Sequence, residues 1–250
     1  MIKNNGFLME EEFVNALNNK DPNSLPNNLN YFIKQLFGVF IDGEVIYCEL
    51  VEGSQKPDIK ITYKGIVKYV SLKTGKAQSV HEEYIEKFIP YLREKGISKQ
   101  TLITILLFHF GDGTIDGTGE KRLGYHEISL LLTERIKKAN IELNSSKEFV
   151  KEFIDRCVFD GAIEGFIPAD CIYDGTLEYG VFVTRKQIHK HIETKSFSYY
   201  KSLHIGPLLL RPHARYTDGP IKNDRKRKVV VCYWPNLFLD LLYIFRRYNG

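Results

Sequence analysis

KPDIKITYKGIVKYVSLKTG, residues 56–75, is the stretch on which the fold turns. It holds two segments rich in Ile, Val, Thr and Tyr, separated by Tyr63-Lys64-Gly65-Ile66, where a glycine stands at the place a tight hairpin turn needs positive φ. With Lys64 and Gly65 as turn residues, Tyr63 faces Ile66, Thr62 faces Val67 and Asp58 faces Ser71. Lys73 follows Ser71 by two positions and so projects from the same sheet face. A carboxylate and an ammonium are thereby expected at one end of one face, while Ile59, Ile61, Val70 and Leu72 supply an apolar face for a core.

Such a pair has a chemical use. Hydrolysis of a phosphodiester needs a hard oxygen ligand for Mg²⁺ and a cation near the attacking water; Asp58 suits the first role and Lys73 the second. The order Pro57-Asp58, short strand, then Ser71-Leu72-Lys73 resembles the PD-(D/E)XK, or restriction-endonuclease-like, nuclease superfamily. The chain departs from that pattern at Ser71, where most members carry an acid and some a non-acidic residue. The resemblance implies Mg²⁺ or Mn²⁺ as cofactor, a metal site built on Asp58 and the backbone carbonyl of Leu72, and catalysis through Asp58, Ser71 and Lys73.

The flanks extend this reading. Residues 6–17, GFLMEEEFVNAL, predict a helix whose Met9, Phe13 and Leu17 share one face. Glu10 borders that face, and the resemblance makes it a glutamate leaning over the metal, with Gly6 before it. Residues 44–51, EVIYCELV, predict a strand, and Glu49 or Glu52 can offer a further oxygen. After Gly75 a helix is expected over 79–95, with Tyr84, Phe88, Ile89 and Leu92 as its buried stripe. The apolar run 101–110, TLITILLFHF, fits a buried strand or a core helix. Helix, three strands, helix, strand is the core order the resemblance implies, and it places Gln78 near the site.

Composition sets the outer bounds. The chain has 250 residues, enough for one large domain or two modest ones, and its 43% hydrophobic and 26% charged residues are those of a soluble globular protein. Signal peptide and membrane span are not expected, since acids and asparagines break residues 1–19 and Pro235, Asn236 and Asp240 break the apolar run 229–245, read as a buried helix. Cys48, Cys157, Cys171 and Cys232 are scattered as reduced core thiols of a cytoplasmic protein would be.

Charge is uneven behind the net +4: residues 185–250 hold 14 Lys and Arg against 4 Asp and Glu. Such a basic half suits a polyanion. Lys222, Arg225, Lys226, Arg227 and Lys228 form its densest cluster. Arg211, His213, Arg215 and Tyr216 precede it, and Tyr199, Tyr200 and Lys201 stand earlier; DNA is the expected partner. The glycine-dense loop GDGTIDGTG, 111–119, lacks the signatures of a phosphate loop or an EF-hand and reads as a flexible connector. Two helices are expected between 125 and 159, with Ser145 or Ser146 capping the second. His189 and His191 make a poor zinc pair without a third ligand.

The whole is expected to be an α/β or α+β protein. Its restriction-endonuclease-like core would span 1–119, a mixed central sheet flanked by helices, with a basic α/β region over 120–250. The function expected is Mg²⁺-dependent DNA cleavage, type II restriction-like, by a homodimer if the cut site is a palindrome. A non-catalytic DNA-binding protein on a degenerate nuclease scaffold, and a protein-interaction domain, are the other two readings.

Overall fold

The structure, a computed structural model, describes residues 5–53, 55–73, 79–163, 165–199, 201–213 and 224–249. In chain order its elements are α1 (Asn5–Leu17), α2 (Asn27–Phe37), β1 (Tyr47–Leu50), β2 (Ile59–Tyr63), β3 (Ile66–Lys73), β4 (Ser79–Tyr84), α3 (Ile85–Glu94), α4 (Lys99–Phe110), α5 (Tyr125–Leu131), α6 (Thr133–Leu143) and α7 (Lys147–Ile154). A π-helical turn (Asp155–Asp160) leads to β5 (Cys171–Gly175), β6 (Gly180–Thr184), α8 (Arg185–Thr194), β7 (His204–Ile205), β8 (Leu208–Pro212), α9 (Asp224–Arg227), β9 (Val229–Tyr233) and α10 (Leu237–Asn249). The class is mixed α and β, as expected. No helix among the described residues is long and apolar enough to cross a membrane.

Two compact units share the chain, and neither is one continuous segment. The first joins Met1–Gln78, Asp155–His191 and Asn236–Gly250; the second joins Ser79–Ile154 and Ile192–Pro235. A single boundary near residue 119 does not follow this partition.

In the first unit the hairpin has the register its turn demands, Tyr63 opposite Ile66 through Ile59 opposite Val70. Lys64 at φ 53° and Gly65 at φ 72° form the turn, both in the left-handed region that a two-residue hairpin with matching twist requires. The sheet runs β1-β2-β3-β5-β6, with β1, β2 and β3 antiparallel and β3 parallel to β5. The strand that closes on β3 is therefore β5, about a hundred residues on, and not the 101–110 run. That run is α4, started by Ser98, whose hydroxyl accepts from Thr101 N. One sheet face is covered by α1 and α2. Their stripes Met9-Phe13-Leu17 and Leu29-Phe32-Ile33-Phe37 meet Ile59, Ile61, Tyr63, Val70, Leu72, Cys171, Tyr173 and Phe182 in one buried cluster. Tyr173 stands among rings, 4.8 Å from Phe13 and 5.2 Å from Phe32, while its hydroxyl bonds Asn28 and Thr176. A buried ring of this kind stabilises by about 1.5–3 kcal/mol through removed apolar surface.

The second unit has an antiparallel sheet, β4-β9-β8-β7, with Phe88, Phe108, Phe153 and Trp234 among its fully buried side chains. Here two expectations fail. Residues 79–84 are strand and only 85–94 are helix, because β4 pairs along β9 from Ser79–Tyr233 to Tyr84–Val229. Likewise 229–245 is not one helix but β9 followed by α10. In both cases a partner distant in sequence, which local periodicity does not carry, decides the conformation. The expected second helix of the 125–159 stretch is α7 running into the π-helical turn, and Ser146 accepts from Phe149 N at its start. The loop 111–119 is no loose connector: Asp112, its side chain fully buried, accepts from Thr114 N and Oγ1 and from Gly119 N.

Candidate active site

The site is assembled at the end of the β2–β3 hairpin. Asp58 precedes β2 and still keeps ladder geometry, its N–H bonding Val70 O and its carbonyl accepting from Val51 N. That fixes its side chain against the last turn of pleat in β3. Asp58 Oδ2 accepts from Leu72 N at 2.6 Å and from Ser71 Oγ at 3.3 Å, and Lys73 Nζ lies 4.0 Å away. Lys73 Nζ in turn donates to Leu72 O at 3.0 Å. The Leu72 peptide is thus held on both sides, its N–H by the carboxylate and its carbonyl by the ammonium. Asp58 and Lys73 are each about three-quarters buried or more, yet both still reach solvent.

Glu10 joins them from α1. Met9, one residue earlier, is part of the buried stripe, which leaves Glu10 half-buried at its border. Its carboxyl holds its proton more tightly than a free glutamate, first because of burial, then because the Asp58 carboxylate is near, with Lys73 partly offsetting both. Two carboxylates that raise one another's cost of ionisation favour a divalent cation between them.

Ser71 is buried to 1% exposure and acts as a donor to Asp58. A carboxylate in its place would face Asp58 directly, so the serine trades a possible ligand for a hydrogen bond that orients the ligand that remains. Oxygen donors from Asp58, Glu10 and the Leu72 carbonyl suit a hard ion such as Mg²⁺, which keeps several waters when few protein ligands are offered. Among the described residues no group of three or more His, Cys, Asp or Glu is disposed to hold a metal, so the protein's share is small.

Other expected site residues lie elsewhere. Glu49 sits opposite Lys60 across β1 and β2 and pairs with it at 2.6 Å, on the wall of an open depression of about 540 Å³; no contact joins it to Asp58. Glu52 is exposed on the loop after β1. Gln78, Arg215 and Lys222 lie outside the described residues, as do Tyr200, Tyr216 and the side chain of Arg225.

The basic residues of the second unit are mostly engaged. Arg211 stacks on Tyr233 at 4.2 Å and on Tyr125 at 5.5 Å. Lys228 pairs with Glu86 at 2.7 Å, and Arg227 faces Asp112 at 3.5 Å, while Lys226 is exposed. His213 lies 3.4 Å from Glu82.

Two features escaped the sequence reading. Asp174, 2% exposed, is the register partner of Lys73 on β5, a placement that only the parallel pairing reveals. On the π-helical turn, Asp155 bonds His189 Nε2 at 2.8 Å and shares Arg185 with Asp160, so His189 is an ion-pair partner and not a metal ligand here. Burial raises the Asp155 carboxyl, against the lowering by His189 and Arg185. No protein-family model matches the chain, and no curated protein sequence matches it either.

Proposed function

We propose that the chain is a metal-dependent DNA endonuclease with a restriction-endonuclease-like site on its first unit. The observation that carries this reading is the meeting of Asp58, Lys73 and Glu10: a carboxylate 4.0 Å from an ammonium, with a second carboxyl close enough to feel both. The order of the first unit supports it. A helix, an antiparallel three-strand meander and then a strand parallel to the third is the arrangement the resemblance implies, once the second unit's segments are set aside.

Asp58 and Glu10 would hold Mg²⁺, which supplies Lewis acidity at the phosphoryl oxygen and a water of lowered pKa. Lys73 positions the attacking water and offsets the negative charge that gathers on the phosphate. Ser71 keeps the Asp58 carboxylate turned toward Leu72 N. In the reaction the water oxygen attacks phosphorus, one P–O bond to sugar breaks, and the departing oxygen takes up a proton.

The test is incubation of the chain with mixed-sequence DNA and Mg²⁺ or Mn²⁺ beside an Asp58→Ala chain. Cutting by the first and not by the second is expected. No cutting by the unmodified chain, or equal cutting by both, would sink the assignment. A second reading, a DNA-binding protein on a nuclease scaffold that no longer cuts, is favoured by the hydroxyl at Ser71. It predicts salt-sensitive binding without metal-dependent cleavage.

A further inference from the structure

We propose that Arg227, backed by Arg122, is a preformed seat for one phosphate group on the second unit. Arg227 ends α9, and 18% of its side chain reaches solvent. Its Nε is buried, and its guanidinium donates no hydrogen bond among the described residues. The one opposite charge it meets is Asp112 Oδ2, at 3.5 Å. That carboxylate is already occupied: Thr114 and Gly119 bond its oxygens at 2.7–3.1 Å within its own loop.

A guanidinium carries five donors, and a native protein seldom leaves buried ones unmatched. Arg122 adds a second positive charge. Its Nε and Nη2 cap the end of α4 by bonding Phe110 O at 2.7 Å and His109 O at 3.2 Å. Burial first, and then Arg227, make Arg122 easier to deprotonate, with Asp112 working the other way. Two guanidinium groups therefore share one saturated carboxylate, which leaves net positive charge and open donors in a half-buried place.

The matching ligand is an oxyanion with several acceptors at fork spacing, which describes a phosphate. The folded 111–119 loop gains a role by this reading, since it holds Asp112 rigid behind the arginine. A DNA strand as the source of that phosphate rests on the nuclease reading; the seat does not, because neither Asp58 nor Lys73 belongs to it.

The experiment uses the full chain with chelator present, so that no cleavage interferes. Inorganic phosphate is titrated by calorimetry and a labelled duplex by fluorescence anisotropy, for the unmodified chain, Arg227→Gln, Arg227→Lys and Lys138→Gln. Lys138 is exposed on α6 and removes the same charge elsewhere. Arg227→Gln is expected to weaken phosphate binding on the order of tenfold, as loss of charge-assisted hydrogen bonds does, and Lys138→Gln by less than about twofold. Arg227→Lys should fall between, keeping charge but losing the fork.

Equal losses in Arg227→Gln and Lys138→Gln, or none in Arg227→Gln, would overturn the seat. If Arg227→Gln does not fold, the melting temperature of the unmodified chain decides. Phosphate must raise it above chloride of equal ionic strength, and no rise overturns the proposal. A response to phosphate but not to duplex keeps the seat and assigns free phosphate as its ligand, while the Asp58→Ala cleavage comparison judges the nuclease reading separately.

Discussion

Asp58, Ser71 and Lys73 stood in their relative places in the sequence because a two-residue turn leaves one register, and Lys64-Gly65 is that turn. What Ser71 does was not legible, since only the closed hairpin shows its hydroxyl aimed at Asp58. Exchange to aspartate tests it. In the chelated chain Ser71→Asp should lose about 1–3 kcal/mol, because a buried carboxylate would then oppose Asp58, and Mn²⁺ should restore much of that loss. Thermal melts with and without Mn²⁺ check both halves. Lys73→Gln keeps the side chain's polar reach and removes its charge; cleavage should fall about 10²–10⁴-fold, measured as single-turnover rate on one duplex. Glu10 gives a pH signature. Its carboxyl is raised, so its contribution to stability is fully present below the unfolded-state pKa and is lost as pH rises through the higher folded-state value. At neutral pH without metal, Glu10→Gln should therefore melt above the unmodified chain, and the gap should close in acid. A variant that melts lower at neutral pH would make Glu10 a structural anchor and remove it from the metal site.

At the scale of elements, the segments that read correctly were those whose partners are close in sequence. The α1 and α2 stripes and the β2–β3 hairpin were visible because helix periodicity and turn chemistry act within a dozen residues. Residues 79–84 misled for the opposite reason: His81, Glu82 and Glu83 suggest a wet helix face until Val229–Tyr233 arrives to pair with them. The hairpin turn offers an opposed pair of substitutions. Gly65 at φ 72° has open space around a would-be Cβ, so the cost of Gly65→Ala is backbone strain alone, about 1 kcal/mol. Lys64 at φ 53° already bears such strain, and Lys64→Asn should relieve it by roughly 0.5 kcal/mol, asparagine being favoured at that turn position. Denaturant midpoints that move down for the first and up for the second, at constant slope, are the expected outcome. Gly180 is a different case: a Cβ there would stand 1.9 Å from the Tyr173 hydroxyl, so packing and not backbone conformation requires the glycine.

At the scale of the molecule, the candidate site depends on chain that a local reading assigns elsewhere. Val70 to Lys73, the part of β3 that carries Ser71 and Lys73, is bonded on its far side by Cys171 to Asp174 of β5. Without β5 that edge would expose unpaired backbone and the apolar faces of Val70 and Leu72, whose core partners include Cys171, Tyr173 and Phe182. Parallel pairing needs a crossover and so leaves no short-range mark, which is why the run 101–110 looked like an eligible closing strand. The consequence can be measured. A chain cut to residues 1–119 retains Glu10, Asp58, Ser71 and Lys73 but lacks β5, β6 and α10, three elements of the first unit. It is expected to give no cooperative thermal transition and no metal-dependent cleavage. Two-dimensional amide spectra should collapse to the narrow dispersion of an unfolded chain, where the full chain shows a folded one. A cooperative melt with dispersed amides from 1–119 would mean that the hairpin and its two helices form a core alone, and that β5 is an addition to the site and not its foundation.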